Sequence, residues 1–157
     1  MTALMGEWKC VESKNMDAVL VEIGHHQELL DCMNPKDSII TIDIDENEVY
    51  LKEQINGRST ENTFTLGKEV EEFTPDGRIV KATVTLESDR QIQHIQQHGF
   101  NETIINREVI DGALITTIKT RDATGMLKYV RIGMPKEILP RMKPVPANTE
   151  ATEQVPA

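Results

Sequence analysis

The chain has only two cysteines, Cys10 and Cys32, in 157 residues. A chain of this length can close a core without covalent staples, so both are expected as buried thiols in a reducing compartment. Long apolar runs are also missing, and nothing approaches the roughly 20 residues that cross a bilayer. The start, Met1 to Lys9, has neither the basic residues nor the apolar stretch of a signal peptide, so a soluble protein of the cytoplasm, with the nucleus also open to it, is expected. Positive charge is scarce: 17 Lys and Arg against 26 Asp and Glu leave a net charge of -9. A general affinity for nucleic acid is therefore not expected. There is no glycine-rich phosphate loop, and His94 has no serine or cysteine nucleophile with a nearby acid in a recognisable motif. Neither enzymatic chemistry nor a cofactor has residues to carry it. His25, His26 and Glu28 could be drawn as metal ligands, but on a short helix they read as a solvated face.

What is present points to one domain with an appendage. Residues 135–157 hold five of the seven prolines and no glycine or aromatic residue, so they have little apolar surface with which to offset an ordering cost. They are expected to form a flexible, Pro-rich tail after a domain at 1–134. Only 38% of the chain is hydrophobic, which is lean for a densely filled core and leaves room for a polar or hollow interior.

Helical periodicity occurs in one place. Met16, Val19, Leu20 and Ile23 recur at i, i+3, i+4 and i+7, with Ser13 and Asn15 as capping candidates and Gly24 at the end. A second short segment, His25 to Met33, stops at Asn34-Pro35. Elsewhere the period is two, as in Ile40, Ile42, Ile44; Val80, Ala82, Val84, Leu86; Leu114, Thr116, Ile118; and Leu127, Tyr129, Arg131. Turn signals separate these runs, among them Asn56-Gly57, Asp76-Gly77, Asp111-Gly112 and Arg121-Asp122, and the Asn-Gly and Asp-Gly pairs suit two-residue hairpins. About ten antiparallel strands in consecutive hairpins must hide their edges, and a closed up-and-down barrel does so. One pair of helices is too small for an open sheet but could lid a barrel.

Alternate residues of such a barrel face inward. An inward Arg107 would bring Ile105 with it, and an inward Tyr129 would bring Leu127. A buried guanidinium needs an acid, water or an anionic guest, and no carboxylate of matching parity is evident in the neighbouring strand segments. Arg107 facing solvent is the alternative.

Gly6-Glu7-Trp8-Lys9, Glu12-Ser13-Lys14-Asn15-Met16-Asp17 and Ile23-Gly24 resemble the opening of the intracellular fatty-acid-binding proteins. Phe64-Thr65-Leu66-Gly67-Lys68-Glu69 with Glu71-Glu72, Asp76-Gly77-Arg78-Ile79-Val80-Lys81, and Glu102-Thr103 with Arg107-Glu108 continue the likeness in family order. The resemblance implies a ten-stranded barrel lidded by a helix-turn-helix. It also implies a monomeric, non-enzymatic carrier of a fatty acid or another small hydrophobic ligand, touching membranes transiently through its lid. Arg107 and Tyr129 match the family's carboxylate anchors, whereas Leu127 stands where a second arginine is usual. Neither Met16 nor Gly57 supplies the family's portal aromatics. Met16, Val19, Leu20 and Ile55 would lie at the entrance, Arg78 would either join them or pair with Asp76 on the surface, and His94, Gln96, Ile105, Thr116 and Ile118 would line the cavity. Two rivals stay open: a lipocalin-type carrier, since Gly-x-Trp opens that family too, and a barrel that has lost its lipid and binds partners through the tail.

Overall fold

The structure is a computed structural model that describes residues 3–24, 37–55, 57–75 and 77–133. The period-two segments form ten strands: β1 (Gly6–Lys14), β2 (Ile39–Asp45), β3 (Glu48–Ile55), β4 (Arg58–Thr65), β5 (Val70–Phe73), β6 (Ile79–Ser88), β7 (Gln91–His98), β8 (Asn101–Ile110), β9 (Ala113–Lys119) and β10 (Thr124–Gly133). A single described helix, α1 (Met16–Glu22), follows β1. Strands run antiparallel in the order β4-β3-β2-β1-β10-β9-β8-β7-β6-β5. Pairing of β1 with β10 wraps the sheet into a barrel, and the seam between β4 and β5 is where the backbone ladder is interrupted. The second lid segment, Cys32, the histidines at 25 and 26, Glu28 and the tail from 135 lie outside the described residues.

Local chemistry explains most of the connections. Asp111 and Gly112 take φ of 52° and 80° between the paired residues Ile110 and Ala113, the positive-φ turn that suits a right-twisted hairpin. The Asp76-Gly77 expectation needs correcting. Phe73 pairs with Ile79, so a longer loop spans 74–78, closed where the Thr74 hydroxyl accepts the Arg78 N–H at 3.0 Å. Arg121-Asp122 also sits in a longer loop, with Thr120 Oγ1 accepting the Ala123 N–H at 3.1 Å.

Capping differs as well. Ser13 belongs to β1, and Asn15 stands at the N-cap with φ 57° but makes no side-chain cap. In that left-handed conformation the Asn15 amide instead donates to the Thr124 carbonyl at 2.9 Å, tying the start of α1 to β10. The helix lies close to that strand because position 125 carries no side chain. A Cβ on Gly125 would stand 2.7 Å from Met16 Sδ and 3.0 Å from Val19 Cγ2.

Trp8, Ile40, Ile42, Val49, Leu51, Phe64 and Leu114 form the apolar core with Leu4. The Trp8 indole N–H donates to the Leu4 carbonyl at 2.9 Å. The Arg131 guanidinium lies 4.3 Å over the Trp8 ring and donates to the carbonyls of Met5 and Ala3, which closes this end of the barrel. Cys10 is buried, its thiol donating to the Glu12 carbonyl at 3.5 Å.

Candidate functional site

The opposite end holds a cavity of about 110 Å³. Helix α1 lays Met16, Val19 and Leu20 over it, while Ile55 and Arg78 reach it from the two turns flanking the entrance. Gln96 of β7, Ile105 of β8, Ile118 of β9, and Leu127 and Tyr129 of β10 complete the expected part of the wall. His94, Arg107 and Thr116 are buried in the interior without forming that wall. The wall also includes Ile23, Ser38, Glu53, Thr74, Pro75 and Thr103, which sequence reasoning missed. Thr103 could have been found, since it shares the parity of Ile105 and Arg107. Glu53 shares that of Leu51, but a carboxylate on an inward row is discounted by any reading based on apolar alternation. Ser38 precedes β2 and belongs to no periodic pattern.

Arg107 faces inward and is only 4% exposed, which removes the solvent-facing alternative. As expected, no carboxylate lies beside it on the paired strands β7 and β9, but one enters the interior from further round the barrel. Glu72 on β5 points into the barrel and is 2% exposed, because β5 turns Val70 and Glu72 inward and leaves Phe73 outside at 57% exposure. Glu72 Oε1 accepts from His94 Nε2 at 2.7 Å and from the Gln96 amide at 3.0 Å. On its other side the His94 ring meets Arg107, with Nη1 to Nδ1 at 3.1 Å. Phe64 packs against the ring edge-on, centroid to centroid 5.1 Å.

This row fixes its own protons. Arginine can only donate and an ionised carboxylate can only accept, so the ring between them is neutral with its proton on Nε2. Burial holds the His94 pKa below the ordinary histidine range, Glu72 pulls it up, and Arg107 pushes it further down. Burial alone would raise the Glu72 carboxyl, yet the bond and charge of His94, the Gln96 amide and the Arg107 charge together bring it below its usual value. Glu72 is therefore ionised at neutral pH and partly balances Arg107 through the imidazole. Tyr129 is a neutral phenol: burial raises it strongly, its hydrogen bond with Ser38 lowers it, Glu53 and Cys10 raise it, and nearby Arg107 lowers it. Arg107 and Tyr129 thus present a cation and a hydroxyl to the same interior, with apolar side chains between them and the entrance.

A barrel of this topology has known counterparts. The sequence profile of the lipocalin / cytosolic fatty-acid binding protein family matches residues 2–133. The chain belongs to this family. Its members are lipid carriers rather than enzymes. A fatty acid-binding protein from Clonorchis sinensis is 36% identical over 132 residues, spanning 83% of this chain and 99% of that protein. Fatty acid-binding protein type 3 from Fasciola hepatica is 33% identical over 135 residues, spanning 84% of this chain and all of the relative. Among solved structures, a Schistosoma mansoni fatty acid binding protein in complex with arachidonic acid superposes with a TM-score of 0.77 at 29% identity, covering 85% of this chain and 98% of that one. No described helix of this family member is long and apolar enough to cross a membrane.

Proposed function

We propose that this protein binds a long-chain fatty acid or a similar small lipid in its barrel and carries it through the cytoplasm, the carboxylate meeting Arg107 and the Tyr129 hydroxyl. The observation that carries this reading is a guanidinium buried on the inner face of β8 behind an apolar-walled cavity. One N–H of Arg107 goes to His94, and the planar fork retains others suited to a carboxylate. The fatty acid-binding relatives and the arachidonic acid complex of the Schistosoma mansoni protein support the same reading.

The energetics divide between chain and head group. Each methylene moved from water to an apolar wall gains about 0.8 kcal/mol, so the chain supplies the affinity. The head group supplies selection, since a neutral guest would leave a desolvated cation only partly balanced by Glu72. At about 110 Å³ the cavity admits a long chain only as Met16, Leu20 and Ile55 move aside. Methionine suits that task because it is unbranched and adaptable. Leu127 makes no polar contribution to the head group, which leaves Arg107 and Tyr129 as its anchors on β8 and β10.

Further parts of the proposal are a monomeric carrier, transient membrane contact through the lid, and a carrying unit confined to 1–134. Titration of the delipidated protein with a fluorescent fatty acid tests the anchor. Arg107→Ala should weaken binding more than about tenfold in a protein that stays folded, the loss expected for a charge-assisted pair. An unchanged dissociation constant would refute it. In the same titration a chain cut after residue 134 should bind as the full chain does; weakened binding would bring the tail into the site.

A further inference from the structure

The seam between β4 and β5 is closed by a side chain. β5 pairs with β6 along one edge, and its other edge faces β4 without a backbone ladder. Across that gap Asn62 makes two hydrogen bonds to one residue: its Nδ2 donates to the Phe73 carbonyl at 3.1 Å, and its Oδ1 accepts the Phe73 N–H at 3.2 Å. A neighbouring strand would satisfy the same two backbone groups in the same way. Asparagine fits because it offers one donor and one acceptor on a short planar group, and the fixed polarity of the Phe73 peptide groups determines which end of the amide is which. Aspartate lacks the donor and leucine lacks both groups.

The residue held this way adjoins Glu72. Phe73 sends its ring outward, and the preceding side chain enters the barrel to reach His94 at 2.7 Å and Gln96 at 3.0 Å. We infer that Asn62 is a positioning residue for the interior polar row: by clasping Phe73 across the seam it sets the Glu72 carboxylate against His94, and through His94 it sets Arg107. β5 spans only Val70 to Phe73, so the clasp supplies a second edge to a strand whose backbone ladder is with β6. A shift of its backbone by a fraction of an ångström would stretch the bond that holds the imidazole proton on Nε2. Asn62 would thus influence the head-group site without entering it. The inference concerns the protein's own geometry and holds whatever the guest; only its effect on affinity rests on the proposed function.

The test uses the full chain without added lipid, with amide exchange and His94 ring resonances read by NMR. In Asn62→Leu the Phe73 amide should exchange about tenfold faster or more, and the His94 ring nitrogen resonances should move while those of exposed His98 stay put, as expected when a seam bond is lost. Asn62→Asp keeps the acceptor, so Phe73 protection should change by less than about threefold while the His94 resonances still move. Amides of β9 and β10 report whether either variant remains folded, and the two variants serve as alternatives should one fail to fold. Oleic acid should bind Asn62→Leu about three- to tenfold more weakly than the parent protein. Unmoved His94 resonances in both variants would overturn the inference, even with faster Phe73 exchange, because the clasp would then be local. Moved resonances in a protein whose parent form fails to bind oleic acid would support the inference and defeat the proposed function.

Discussion

The two ends of the barrel are built on different principles. At the closed end Trp8, Leu4, Ile42 and Phe64 are fully buried, and Arg131 lies over the indole. At the open end the wall mixes Met16, Leu20 and Ile55 with Arg78, Glu53 and Thr74, under a helix of only seven residues. The first arrangement maximises apolar burial, and the second leaves space and polar atoms among apolar ones. The contrast implies that stability is concentrated at one end and exchange of a guest at the other, with the Glu72–His94–Arg107 row between them.

Trp8→Ala should break the closed end. Truncating a buried aromatic costs about 3–5 kcal/mol, and here it also removes the bond to the Leu4 carbonyl and the stacking of Arg131. Urea unfolding would record the loss. Fatty-acid affinity of the folded fraction should stay within about twofold if the ends are separable, even though one apolar core joins Trp8 to Leu127 and Tyr129. A large affinity loss would show that they are not.

The middle row makes the barrel sensitive to acid. His94 has a lowered pKa in the folded state, so the unfolded chain binds a proton more readily than the folded one does. The stability contributed by the neutral ring is therefore complete well above the ordinary histidine pKa of about 6.5 and is lost as the pH falls below it, by at most about 1.4 kcal/mol per pH unit. Glu72 is lowered as well, so a further loss follows as the pH falls below about 4.5. Urea midpoints measured from neutral pH downward should show both phases, and His94→Gln should remove the first. A first phase that persists in the variant would place the titrating group elsewhere.

At the open end the expected effect is smaller. Gly125→Ala would press a methyl group onto Met16 Sδ and Val19 Cγ2, costing about 1 kcal/mol because the methionine can yield. Thermal unfolding should show the shift, accompanied by faster guest exchange as α1 lifts from β10. No change in either would mean that the helix does not depend on this contact.

Much of this architecture could be read from the residues. Ile40-Ile42-Ile44 and Leu127-Tyr129-Arg131 alternate without ambiguity, and Met16, Val19 and Leu20 of α1, with Ile23 just after it, leave one face to bury. The inward direction of Arg107 could not be read from β8 alone, because parity relates Ile105 to Arg107 without saying which side is the core. β5 defeated the apolar rule outright: Phe73 faces solvent and Glu72 faces inward, since the carboxylate finds His94 and Gln96 there. Those partners lie on β7, more than twenty positions away in sequence. The Asn62 clasp was illegible for the same reason, because it depends on where the ladder stops. Asn15 had the residue type of a cap but spends its amide on Thr124, a choice made by tertiary contact.

The account turns on recognition of an anion by a buried cation, and one titration addresses it. Delipidated protein at neutral pH should bind oleic acid at least about tenfold more tightly than its methyl ester, which carries the same chain without the charge. Equal affinities for the two would contradict it, leaving a barrel that selects by chain alone.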